Sequence, residues 1–87
     1  MDNKEKQVRE GKQAEQLLND PLLKSAFEDL LEVYKTEIFN TKFTESEQRT
    51  YLWVAYNLVD KIRGHLRSVM ESGKLTQQEL DQLNKRS

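Results

Sequence analysis

The chain has no cysteine, one proline, three glycines, one histidine and one tryptophan in 87 residues. Each shortage excludes something. Without cysteine there is no disulfide to staple a small fold, and a thiolate zinc site is ruled out. This also fits a reducing compartment. One histidine, His65, is too few for an imidazole metal cage. No glycine-rich loop is present to cradle a phosphate. The longest apolar run, Tyr51 to Tyr56, is six residues, against roughly 20 for a membrane span. Met1 to Arg9 is charged and carries no apolar run, so a secretory leader is not expected.

What is present is helix-forming and highly charged. Charged residues make up 33% of the chain and hydrophobic residues 36%, with a formal net charge of −1. A near-neutral balance argues against a protein that coats nucleic acid over its whole surface, but leaves room for a local basic patch. A chain this short forms one domain, with a thin stability margin. Self-association is then the most accessible way to bury more apolar surface.

The punctuation predicts an all-α fold: an antiparallel helical hairpin, about 21–39 and 45–72, with short N-terminal and C-terminal helices. Residues 1–13 read as a polar, flexible segment and 14–87 as a single helical domain. Asp20-Pro21 is a strong start signal. The aspartate can accept from free backbone N–H groups, and proline suits the first helical position. Leu23, Phe27, Leu30, Tyr34 and Ile38 then fall on one helical face. Thr44 to Glu47 has capping-box spacing and opens a second helix of about 28 residues, about 42 Å at 1.5 Å per residue. Gly73 is expected to end it in the left-handed C′ conformation. Thr76 to Glu79 repeats the capping-box pattern and predicts a separate last helix through Leu80 and Leu83.

In the long helix, Leu52, Ala55, Val59, Ile62, Leu66 and Val69 are spaced alternately three and four apart, the pattern of a helix packed along its length. Tyr51, Val54, Leu58 and Ile62 form a second stripe that widens the face, so this helix is expected to be covered on more than one side. The helix from Pro21 is too short to cover the region from Ile62 to Val69. An N-terminal helix, a C-terminal helix or a second subunit must do so. Gly64 costs about 1 kcal/mol relative to alanine in mid-helix, which suggests a close helix crossing or subunit contact there, or plain tolerance. The candidate protein interface is accordingly Gly64, Ile62, Leu66, Val69 and Trp53. Trp53, with Tyr51 and Tyr56, reads either as an interaction anchor or as core packed against Phe39 and Phe43 across the turn.

Lys61, Arg63, His65 and Arg67 make the second half of this helix basic. They read as a phosphate-contacting patch for a nucleotide or nucleic acid, or as a solvated face favoured by the helix dipole. His65 has only Ser68 within one turn as a nucleophile partner, so no catalytic set is assigned and no enzyme activity is expected. No metal site and no cofactor are assigned either.

The segments LLNDPLLKSAFEDL (17–30), SEQRTYLWVAYNLVDKIRGHL (46–66) and ESGK (71–74) resemble a group of small bacteriophage proteins of unsettled function, often encoded among head and packaging genes. The Asn-Asp-Pro start, the arginine before an aromatic-apolar run and the closing Gly-Lys carry the likeness, over about two thirds of the chain. The resemblance implies a phage or prophage origin and a non-enzymatic role. It transfers no functional residue. The expected partners are a second copy of the chain and an unidentified protein, with a nucleotide or nucleic acid as the alternative and no membrane. The expected location is the host cytoplasm, or the virion.

Overall fold

A computed structural model describes residues 3–86. It contains three α-helices: α1 (Asn3–Asn19), α2 (Pro21–Asn40) and α3 (Ser46–Arg86). There is no strand among the described residues, so the all-α expectation holds. None of these helices is long and apolar enough to cross a membrane.

The Asn-Asp-Pro signal acts as its chemistry requires. Asp20 takes an extended backbone, and its carboxylate accepts from the Leu23 N–H at 2.9 Å. Pro21 then enters the helix where its missing N–H costs nothing. The break is only one residue wide. α1 and α2 follow one another along the same partner, α3, and run antiparallel to it. Contacts show this order. On α1, Lys4 meets Glu79, Gln7 meets Thr76, Gly11 meets Gly73 and Glu15 meets Lys74. On α2, Lys24 and Phe27 lie by Arg67 and Met70, and Ile38 lies by Trp53. Over the length of the rod, numbers rise on one side as they fall on the other, from Lys4–Glu79 to Ile38–Trp53. The result is a rod of 67 × 23 × 19 Å, its length set by the 41 residues of α3, about 61 Å at 1.5 Å per residue.

Arg49 fastens the turn between α2 and α3. Its guanidinium donates to the Thr41 hydroxyl at 3.0 Å and to the Lys42 carbonyl at 3.3 Å. The Thr41 hydroxyl in turn donates to the Ile38 carbonyl at 2.7 Å. The start of α3 is shifted slightly from the expected Thr44 cap. The Lys42 N–H donates to the Glu45 carboxylate at 2.8 Å, and the Glu45 carbonyl takes the first helical bond, from Arg49.

Three expectations are corrected. First, α3 does not end at Gly73, and residues 75–84 are not a separate C-terminal helix. No described glycine has a positive φ. Gly73 instead lets α1 come close. A Cβ on it would lie 2.8 Å from the Gly11 Cα and 3.0 Å from the Gln7 carbonyl oxygen. Real side chains cannot fit there, so the helix keeps its glycine and runs on. Thr76, expected as an N-cap, sits inside the helix, 7% exposed, and its hydroxyl donates to the Gln7 side chain at 2.9 Å. Second, from Asn3 onward the charged segment is helical, with Gly11 buried against α3. Met1 and Asp2 lie outside the described residues. Third, the close crossing is at Gly11 and Gly73, not Gly64, where an added Cβ would find nothing of this chain within 4 Å. α1, and not a C-terminal helix, covers the far half of α3.

Candidate functional site

A rod two helices thick has almost no interior. Among the described residues, the buried apolar side chains are Ala14, Leu31 and Ile38, and no large side chain is fully enclosed. Leu23, Phe27, Tyr34, Leu52, Tyr56, Val59, Leu66 and Val69 are half-buried. Many large apolar residues face outward, and their arrangement follows from helix geometry.

On α2 the residues turned to α3 include Phe27, Leu31, Tyr34 and Ile38. A helix turns about 100° per residue, which puts Leu22, Leu30 and Val33 on average about 110° to one side of that seam. On α3 the inward residues include Leu52, Tyr56, Val59 and Arg63. Tyr51, Val54, Leu58 and Ile62 lie about 125° from it in the same rotational sense. The two helices are both right-handed but run in opposite directions. Equal rotations of the same sense away from the shared seam therefore carry both sets onto one broad face of the layer. These seven side chains are between 43% and 80% exposed. The stripe from Tyr51 to Ile62, expected to be covered, is left open by this chain.

The opposite broad face is mixed and charged. Lys24 and Glu28 of α2 share a shallow recess of about 270 Å³ with Arg63 and Arg67 of α3, floored by Phe27 and Met70. Nearer the turn, Lys35, Ile38, Phe39, Trp53 and Tyr56 line a second recess of about 190 Å³. Trp53 and Tyr56 meet edge to face, their ring centres 5.7 Å apart at 73°. The aromatic residues do not complete a core across the turn, because Phe39 and Phe43 remain 78% and 95% exposed. Trp53 is instead half-exposed at the edge of an open recess.

The sequence-derived sites are divided by this geometry. Of the candidate interface residues, Ile62 lies on the apolar face and Trp53 on the opposite one. Leu66 and Val69 are half-buried, and their rotation turns them toward the intrachain seam. Of the basic residues, Arg63 and Arg67 line the charged recess, where Arg63 also pairs with Asp60 at 3.0 Å. His65 lies around the helix beside Gln7, Glu10 and Ser68, and Lys61 is exposed on that same side. The four do not form one patch, because residues two apart on a helix point to nearly opposite sides. Lys24, which the sequence reading did not include, joins Arg63 and Arg67. Its position i+3 from the Pro21 start was the one available signal. No group of His, Asp or Glu that could hold a metal ion occurs among the described residues.

Comparison of the chain with protein-family models, with curated proteins and with solved structures gives no match.

Proposed function

We propose that the chain is a non-enzymatic, phage-encoded interaction protein: a long helical hairpin that self-associates and binds another protein, with virion assembly or host takeover as its setting. The thin interior carries this reading. A compact protein of 10.3 kDa has an accessible surface of about 5,400 Å². This chain has 7076 Å². The excess, about 1,700 Å², is on the scale that an obligate partner removes. Light scattering of the purified chain across the micromolar range tests it. A mass of two or more chains is expected, and a strict monomer at every concentration overturns it.

A second reading, a nucleotide or nucleic-acid binder, is favoured by one observation: Lys24 joins Arg63 and Arg67 around a recess with an aromatic floor. Three cations against Glu28 and the Asp60 carboxylate paired with Arg63 leave the recess net positive, and phosphates bind such a site in a salt-dependent way. Thermal shift with cyclic dinucleotides, and DNA binding over a salt series, test this reading. Replacing Arg63 and Arg67 by glutamate should abolish any binding seen. Unchanged binding would remove the recess from consideration.

A further inference from the structure

We infer that two copies of the chain pack face to face through the apolar face of α2 and α3, burying Leu30, Val33, Leu58 and Ile62 of each at the centre of a four-helix core. This rests on the self-association proposed above, and names its surface and its partner.

Three observations point to a second copy as the occupant. The first is the distribution of residues. Two stripes on two different helices converge on one broad face, while the other face is mixed, with Lys24, Glu28, Lys35 and Arg67 beside the exposed Phe39 and Trp53. One continuous apolar side and one side broken by charges make a half-layer. Helical layers of this kind become stable when the apolar sides of two meet. The second is area. At roughly 150–200 Å² per residue, the exposed parts of the seven side chains offer on the order of 700 Å², close to the share of about 800 Å² that each partner brings to a standard interface. The third is what the single chain lacks. Leu31 and Ile38 are the only large buried apolar side chains among the described residues, so α2 and α3 share only a thin seam of their own. A copy of the same face supplies one of matching chemistry and extent, and a two-fold axis lying in the interface closes the contact without leaving a free apolar end.

The α1 half does not share in this core. On the corresponding side α1 presents Lys6, Glu10 and Gln13, with Leu17 its one large apolar residue there, and α3 presents Ser68, Ser72 and Glu79, with Leu75 and Leu83 set apart among them rather than in a continuous stripe. The paired region is therefore the α2–α3 half, and the two α1 helices remain outside it.

The test uses the whole chain. Oxidative footprinting read by mass spectrometry, with the protein concentrated and then diluted below its association range, reports each side chain separately. Tyr51 and Leu58 should be protected in the concentrated sample, while Trp53, Phe39 and Phe43 stay reactive at both concentrations. Sedimentation of Leu58→Ala should show association weakened about tenfold or more, because central interface side chains dominate affinity. Leu75→Ala, exposed beyond the face, should leave it unchanged. An associated protein whose Tyr51 and Leu58 stay reactive, or whose affinity ignores Leu58→Ala, overturns this surface and leaves self-association standing. A chain that is monomeric throughout overturns both.

Discussion

Along the α1 half of the rod, backbone lies against backbone, whereas along the α2 half large side chains fill the seam. Gly11, Ala14, Gly73 and Thr76 are all buried, and none has a side chain larger than threonine. Such residues let two helices approach until each gains many close dispersion contacts. Fewer large apolar side chains are left outside, Leu17, Leu75 and Leu83, and the flanks are tied by ordinary surface pairs such as Lys74–Glu15 at 2.9 Å. On the α2 side, Leu31 and Ile38 are buried and Phe27 and Tyr34 half-buried, yet ten more large side chains are exposed, seven of them on one face. One half closes its seam within the chain. The other has more apolar surface than a single partner helix can cover.

Breaking the side-chain half should cost most. Leu31→Ala removes one of the few enclosed large residues and should lower stability by about 3 kcal/mol, in the range for a leucine truncated in a core. Urea unfolding at fixed protein concentration checks it, since any association also contributes to the midpoint. If the loss stays below about 1 kcal/mol, Leu31 is not part of a packed seam.

Breaking the backbone half should cost less globally but act on one helix. In Gly73→Ala the new Cβ meets the Gly11 Cα at 2.8 Å, and backbone cannot swing aside. Overpacking of this kind costs about 1–3 kcal/mol, while alanine returns about 1 kcal/mol of helix propensity. A net loss of about 1–2 kcal/mol is expected, with amide hydrogen exchange rising across 3–19 far more than across 21–40. Uniformly faster exchange would mean that the two halves do not differ as described.

The smallest effect sharpens the contrast between glycines. Gly64→Ala adds a Cβ into space where, apart from the backbone of its own helical turns, this chain has nothing within 4 Å. It should raise stability by up to about 1 kcal/mol through helix propensity alone. Thermal unfolding of this variant beside Gly73→Ala should show shifts of opposite sign. A destabilised Gly64→Ala would indicate that another molecule approaches that point.

Much of this was legible from residues. Asp20-Pro21 marked the start of α2 within one residue, because capping and the proline ring are local effects that no distant contact needs to support. The stripe from Tyr51 to Ile62 was also readable as a stripe, since its spacing is a property of one helix, but not that this chain leaves it open. The basic residues were misleading when read as neighbours in sequence. Their spacing of two, followed around the helix, separates Arg63 and Arg67 from Lys61 and His65. Gly11-x-x-Ala14 and Gly73-x-x-Thr76, two small-residue pairs at helical spacing, were the available signal for the close crossing.

The sequence by itself determined that the protein is helical, where its first two helices divide, and that α3 has more apolar surface than one neighbour can cover. These follow from capping chemistry and the helical period, both set within a few residues. Only the tertiary structure decided that α3 runs through Gly73 to Arg86, and that α1 rather than a C-terminal helix lies along its far half. A glycine followed by a capping box serves a helix end and a tight crossing equally well. The choice between them was made by Gly11, 62 positions away in sequence and 2.8 Å from where a Gly73 side chain would begin.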